Sequence, residues 1–282
     1  MIGIGPADTR YPRRLLDLRG PPDPLWLDGD PAVLAARAVS IVGTRRMTPY
    51  GARVARELAA TCAEAGIVVV SGLAQGVDSA AHQGALDARG ITVAVLGAGI
   101  ASYLEDARGR RRRLAHAIRT SGALVSEFPP EAPPRKWTFA QRDTTIAALG
   151  ELTVVVEAPI GSGALITAGE ARRLGRPLYA VPGPIGVAAS AGANALIASG
   201  EAKALTGVEM LLGTLQLRAA HRTEDDPVED ARVLDLLASS PLDPDALARR
   251  LGLGTTALAA IVLSAIFYRL RFGGQKSGWS FS

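Results

Sequence analysis

The sequence predicts an α/β protein: an extended Rossmann-like, doubly wound parallel sheet, followed by a small C-terminal winged-helix-like domain. Three observations carry this. Between residues 38 and 213, apolar runs of strand length alternate with segments of helical period. The runs are rich in Val, Ile and Leu without polar alternation, as suits parallel strands covered on both faces. After residue 227 the pattern changes to three helical segments and a β-ribbon.

The elements follow in order. Residues 1–37 form a proline-rich preface, including "GPPDPLWLDGDP", expected as an N-terminal extension packed on the main domain. "AVSIV" (38–42) is the first strand of the 38–214 domain. It runs through "GTRR" into "TPYGARVARELAATCAEAG", where Thr48 is placed to cap a helix, Pro49 to open it and Gly66 to stop it. "IVVVS" (67–71) leads to a helix from Asp78 to Gly90, with Asp78 as its cap and His82 packed beside it. "TVAVL" (92–96), "ALVSE" (123–127), "LTVVVE" (152–157) and "PLYAVP" (177–182) are the remaining strands. "SGALITAGEARRLG" is a helix ending at Gly175.

Residues 215–229 have the polar, acidic composition of a linker, and 230–282 are expected to be winged-helix-like. The segment in the place of a recognition helix, "GTTALAAIVLSAIFYRL", is apolar up to Arg269. A helix reading a major groove needs polar and basic residues, so packing or protein contact is the favoured role.

Composition narrows the function. The 282 residues are 48% hydrophobic, enough for one core and a small second unit. Charges interrupt every apolar run, so no membrane segment is expected. The N-terminus lacks the apolar core of a signal peptide, and a cytoplasmic location is expected. A single cysteine, Cys62, and three scattered histidines argue against a disulfide and a metal site. No cofactor is expected either. "GAGIAS" has Ser102 where a dinucleotide fingerprint has its third glycine, and there is no Walker-type lysine loop. The net charge of +4 hints at an anionic partner.

Ligands of such sheets sit beyond the carboxyl ends of the strands. Five of those ends are small and glycine-rich: "GTRR", "SGLAQGVDSAAH", "GAGIAS", "EAPIGSGALITA" and "PGPIG". They suit an extended polyanion site, or simply the tight turns that every α/β sheet needs. Charge favours the first reading. Arg45 and Arg46 occupy the first turn, and Arg135, Lys136 and Arg142 flank Trp137 and Phe139. Cations among aromatic rings suit single-stranded nucleic acid; Trp137 and Phe139 also fit the core of a loop that wraps the sheet, and for Phe139 the core position is the favoured reading. "RGRRRRLAHAIR" (108–119) is a basic helical face, for which a solvated surface is the favoured reading and non-specific phosphate contact the lesser one. Glu157 is either a base or an acceptor of backbone N–H bonds, and the acceptor role is favoured. No catalytic constellation stands out.

The order of these turns resembles the DNA-processing protein A (DprA/Smf) family. The stretches that carry it are "SIVGTRRMTPYG", "SGLAQGVDSAAHQGAL", "GALVSEFPPEAPP", "TVVVEAPIGSGALITAGEARRLGRPLYAVPG" and "SAGANALIASG", within about residues 11–205. The resemblance implies a dimeric, non-enzymatic protein that binds single-stranded DNA. Such a protein protects incoming DNA in natural transformation and helps to load the RecA recombinase. It implies a DNA or phosphate site made of Gly43, Thr44, Arg45, Arg46, Ser71, Gly72, Lys136, Arg142, Gly161, Ser162, Gly163, Thr167 and Asn194. Where the family reads R-N-R, this chain reads Arg142-Asp143-Thr144, so Asp143 is expected to repel phosphates and Thr144 to lack a charge-assisted bond. The family's Tyr-Pro is Tyr103-Leu104 here. Two other readings stay open: a phosphoribohydrolase-type enzyme using Glu170, and a nucleotide-sensing module.

Overall fold

The structure, a computed structural model, describes residues 1–215. Its centre is a nine-stranded sheet in the order β1-β2-β6-β5-β4-β3-β7-β8-β9. The strands are β1 (Ile2–Ile4), β2 (Leu25–Gly29), β3 (Ala38–Val42), β4 (Val68–Ser71), β5 (Thr92–Leu96), β6 (Ala123–Ser126), β7 (Leu152–Val155), β8 (Leu178–Ala180) and β9 (Lys203–Ala204). From β6 to β9 every pairing is parallel. β2 runs antiparallel to both β6 and β1.

The sheet is therefore mixed at one end, where sequence reasoning expected parallel strands throughout. The two antiparallel strands come from the proline-rich preface. β1 is three residues long with a central glycine, and β2 alternates buried and half-buried positions, so neither shows a continuous apolar run. The two-residue β9 was equally invisible. The six strands read from the sequence all form, within two residues of the expected ends.

The helices are α1 (Pro49–Glu64), α2 (Val77–Asp87), α3 (Ile100–Asp106), α4 (Gly109–Ser121), α5 (Lys136–Leu149), α6 (Ala164–Arg173) and α7 (Ala191–Ala198). α5 and α6 pack together, as do α1, α2 and α4. The pleat separates the two layers. Val93 and Val95 face the α5 side with Ile146, while Ala94 and Leu96 face Leu114 and Ile118 of α4. α1 starts as its sequence requires: Thr48 Oγ1 accepts the Gly51 N–H at 3.2 Å, with Pro49 behind it.

α5 carries much of the basic chemistry, and its end is anchored by a guanidinium. Arg176, buried after α6, donates through Nη1 to the carbonyls of Ala147 (3.0 Å), Ala148 and Gly150 (2.5 Å). Its Nη2 reaches Asp17 of the preface at 3.0 Å. These are carbonyls that a helix C-terminus leaves without intrahelical partners. Glu151, just beyond, binds Arg14 and Arg37, each at 3.2 Å. The preface is thus bonded to the α5 end as well as to the sheet edge. No helix among the described residues is long and apolar enough to cross a membrane. The winged-helix-like segment lies outside the described residues.

Candidate nucleic-acid interface

The chain winds from β3 outward through β4, β5 and β6, then returns to place β7 on the other side of β3. The crevice above β3 and β7 is the topological switch point. Its floor is pinned. The Thr44 N–H donates to the Glu157 carbonyl at 2.6 Å, and the Val77 N–H donates to the Thr44 carbonyl at 3.2 Å. Gly43 is required here, because a Cβ would lie 2.7 Å from Val77 Cγ2 and 2.8 Å from the Glu157 carbonyl. Glu157, 1% exposed, accepts the Thr48 N–H (2.9 Å) and the Thr48 hydroxyl (2.6 Å). It is an acceptor at the start of α1, the role the residues favoured.

Between these pinned ends, the turn projects Arg45 and Arg46 into solvent. The Arg45 guanidinium stands 5.3 Å from the centroid of the Phe139 ring. Phe139, on α5, lies against the end of β5, where a Cβ on Gly97 would come 2.5 Å from the ring. It is a half-buried rim residue rather than a core one. Lys136, the first residue of α5, is exposed. Trp137 is 57% exposed and meets Phe128 edge-on.

Arg142 lies deeper, 4% exposed. Its Nη1 is 3.5 Å from Asp78 Oδ2 and its Nε 3.5 Å from Asp143 Oδ1. These are ion pairs longer than good hydrogen bonds, and Nε has no hydrogen-bond partner. Asp78 does not cap α2, whose N-cap is Gly76 at φ +91°. Its carboxylate instead lies beside Arg142 and near the backbone N–H groups of Ala74 and Gly43, which favour its charged form. Burial pushes the Asp78 carboxyl up, against the pull of Arg142 and those N–H groups.

Burial raises Asp143 to about 6; Asp78 adds to the rise, while Arg142 and Arg45 oppose it. The repulsion expected from Asp143 is thus tempered by its pairing and by its weakened acidity. Behind them, burial drives His82 down to about 3, so its ring is neutral. Its Nδ1 lies 2.7 Å from Thr92 Oγ1, whose own proton goes to the Val69 carbonyl at 2.6 Å. Nδ1 therefore carries the ring proton.

The opposite wall is the loop from β7 to α6. Gly161 has φ +77°, a conformation open to glycine, and Gly163 is the N-cap of α6. Thr167, one turn inside α6, is fully buried with its Oγ1 unpaired. The first N–H groups of α6 already donate to Ser162 and Gly163, so this helix start favours anions through its dipole.

These walls enclose a groove of about 490 Å3. It brings together Gly43, Thr44, Arg45, Arg46, Lys136, Arg142, Gly161, Ser162, Gly163 and Thr167 of the residues read from the sequence. Gly72 lines an adjoining groove with Arg45 and Arg142. Two residues lie elsewhere. The Ser71 side chain is fully buried and donates to the Ile41 carbonyl at 2.6 Å. Asn194 spends both amide groups on Gly183, donating to its carbonyl and accepting its N–H, each at 3.0 Å. Glu170, the acid an enzyme reading needs, lines neither groove and binds Arg173 at 2.8 and 2.5 Å. Sequence reasoning missed the link from Arg142 to Asp78. The only trace of it was Gly72, whose reason emerges from the space the guanidinium takes. Among the described residues, no group of three His, Cys, Asp or Glu could hold a metal ion.

A family model described as DNA recombination-mediator protein A matches residues 3–216, and one described as DprA winged helix domain matches residues 218–264. A putative DNA processing protein DprA of Mycobacterium tuberculosis is 47% identical over 170 residues, which is 59% of this chain and 43% of that protein. The chain spans about half the length of the first curated relatives it matches. The X-ray structure of DNA processing protein A from Streptococcus pneumoniae superposes with a TM-score of 0.69 at 34% identity, covering 75% of this chain and 73% of that one. DNA processing protein A from Helicobacter pylori, solved for its single-stranded DNA binding mode, gives 0.66 at 28% identity, with 73% and 93% covered.

Proposed function

This chain belongs to the DNA recombination-mediator protein A family, and we propose that its switch-point groove binds single-stranded DNA without turning it over. One observation carries the reading. The exposed cations Arg45, Arg46 and Lys136 stand with the Phe139 ring on the rim of a groove walled by the start of α6. Guanidinium and ammonium groups serve phosphates, and a ring edged by a cation serves bases.

In this role the protein guards incoming strands and assists their transfer to RecA in natural transformation and recombination. It works in the cytoplasm as a homodimer. Residues 38–214 form the DNA-binding domain with residues 1–37 packed on it, 215–229 a linker and 230–282 the winged-helix-like domain, which makes packing or protein contacts.

The test is a salt-titrated binding assay with a single-stranded oligonucleotide, a duplex and mononucleotides side by side. Single strands are expected to bind most tightly, with affinity falling steeply as salt rises. Tight mononucleotide binding without affinity for strands would instead support a nucleotide-sensing module.

A further inference from the structure

The basic rim does not stop at Arg45. On the other side of the Arg45–Phe139 pair lies the adjoining groove, about 390 Å3, which shares Arg45, Ala74, Phe139 and Arg142 with the first. Its far wall carries Tyr103, Asp106 and Arg111. The Arg111 guanidinium stands 5.3 Å from the Tyr103 ring centroid, matching Arg45 on Phe139. One groove is therefore bounded at both ends by a cation on an aromatic face.

Arg111 also begins a charged surface. α4 buries only Leu114, Ala115 and Ile118, and Arg110, Arg111, Arg112 and Arg113 are all exposed. Among the described residues none of these four is in an ion pair; the first arginine of the helix that is, Arg119, binds Asp28 at 3.4 Å. The four occupy the first turns of α4, with no acid there to offset them. Cations at that end oppose the helix dipole and repel one another. Their placement works against the helix and calls for an anionic partner. Arg112, Arg113 and His116 line a further shallow depression on the same helix.

We propose that the adjoining groove and the α4 arginine face form a second phosphate track, contiguous with the switch-point groove, which holds the part of a long single strand that the groove itself cannot. The proposal rests on the reading of the groove as a single-stranded DNA site. Asp106 is the one acid among the residues lining the adjoining groove, and it lowers the affinity of the track.

The test uses the full chain and two single-stranded oligonucleotides, of about six and about twenty nucleotides. Replacing Arg110, Arg112 and Arg113 together by Gln is expected to weaken the long strand about tenfold. It should lower its salt slope by about 2, at roughly 0.7 per lost phosphate contact. Binding of the short strand should stay unchanged, and the corresponding Lys triple should retain the long-strand affinity. Asp106→Asn should tighten the long strand alone. Arg45→Ala should weaken both lengths. A wild type that binds both lengths, with a Gln triple that loses neither or loses both equally, overturns the track and leaves the groove reading intact. An equal loss on a duplex of the same length also overturns it. A wild type that binds neither strand overturns the groove reading and the track with it.

Discussion

The guanidinium of Arg142 occupies the space that a side chain at Gly72 would need: a Cβ there would collide with Nη1 and lie 2.8 Å from Asp78 Oδ2. The glycine after β4 is thus the complement of a buried arginine seventy residues later in the chain. Gly72→Ala is expected to displace the guanidinium, separate it from Asp78 and destabilise the fold by about 2 kcal/mol. Chemical denaturation would read this as a lower midpoint with an unchanged m value. An unchanged midpoint would mean that Arg142 has room the structure does not give it.

Arg45 and Lys136 are exposed, so their loss should leave stability alone and act on the ligand. Each change to Ala is expected to weaken single-stranded oligonucleotide binding severalfold and to lower the salt slope by about 0.7. Anisotropy titrations at several salt concentrations measure both. If affinity survives in both variants, the rim is not the site.

Asp143 gives binding a pH dependence. Its folded pKa, about 6, lies above its ordinary 3.8, so the fold holds the proton more tightly than the unfolded chain does. Its contribution to stability is complete below pH about 4 and is lost as pH rises through about 6. A phosphate in the groove also favours the neutral form, so strand affinity should fall across the same range. Asp143→Asn is expected to remove that component and to bind at neutral pH as the wild type does in mild acid. Parallel pH profiles of the two proteins would sink the idea.

Arg176 holds the end of α5 and shows no face to the groove. Arg176→Ala takes the guanidinium from four carbonyls, those of Arg14, Ala147, Ala148 and Gly150, and is expected to cost about 3 kcal/mol of stability. Thermal denaturation provides the measurement, and a shift within error would show that water replaces the guanidinium.

Asn194 separates a positioning role from a ligand role. Asn194→Ala should free the Gly183 loop and cost about 1 kcal/mol, with no change in the salt slope of strand binding. A lowered slope would place Asn194 on the strand after all.

The parallel part of the sheet is legible in the chain, because each strand buried on both faces must be a run of apolar residues, and "AVSIV" or "TVAVL" can be little else. So is the position of the rim, with Arg45, Arg46 and Lys136 near it, since glycine turns and helix caps are local signals. That the preface adds two antiparallel strands, and that Asp78 serves Arg142 rather than α2, follows from long-range packing. The same holds for Asn194, which is spent on Gly183, and for Phe139, which stands on the rim under Arg45. Each of these is a pairing of residues distant in the chain. Local pattern carries no information about such pairs; they are set by which atoms remain unsatisfied, and which spaces remain empty, once the sheet has closed.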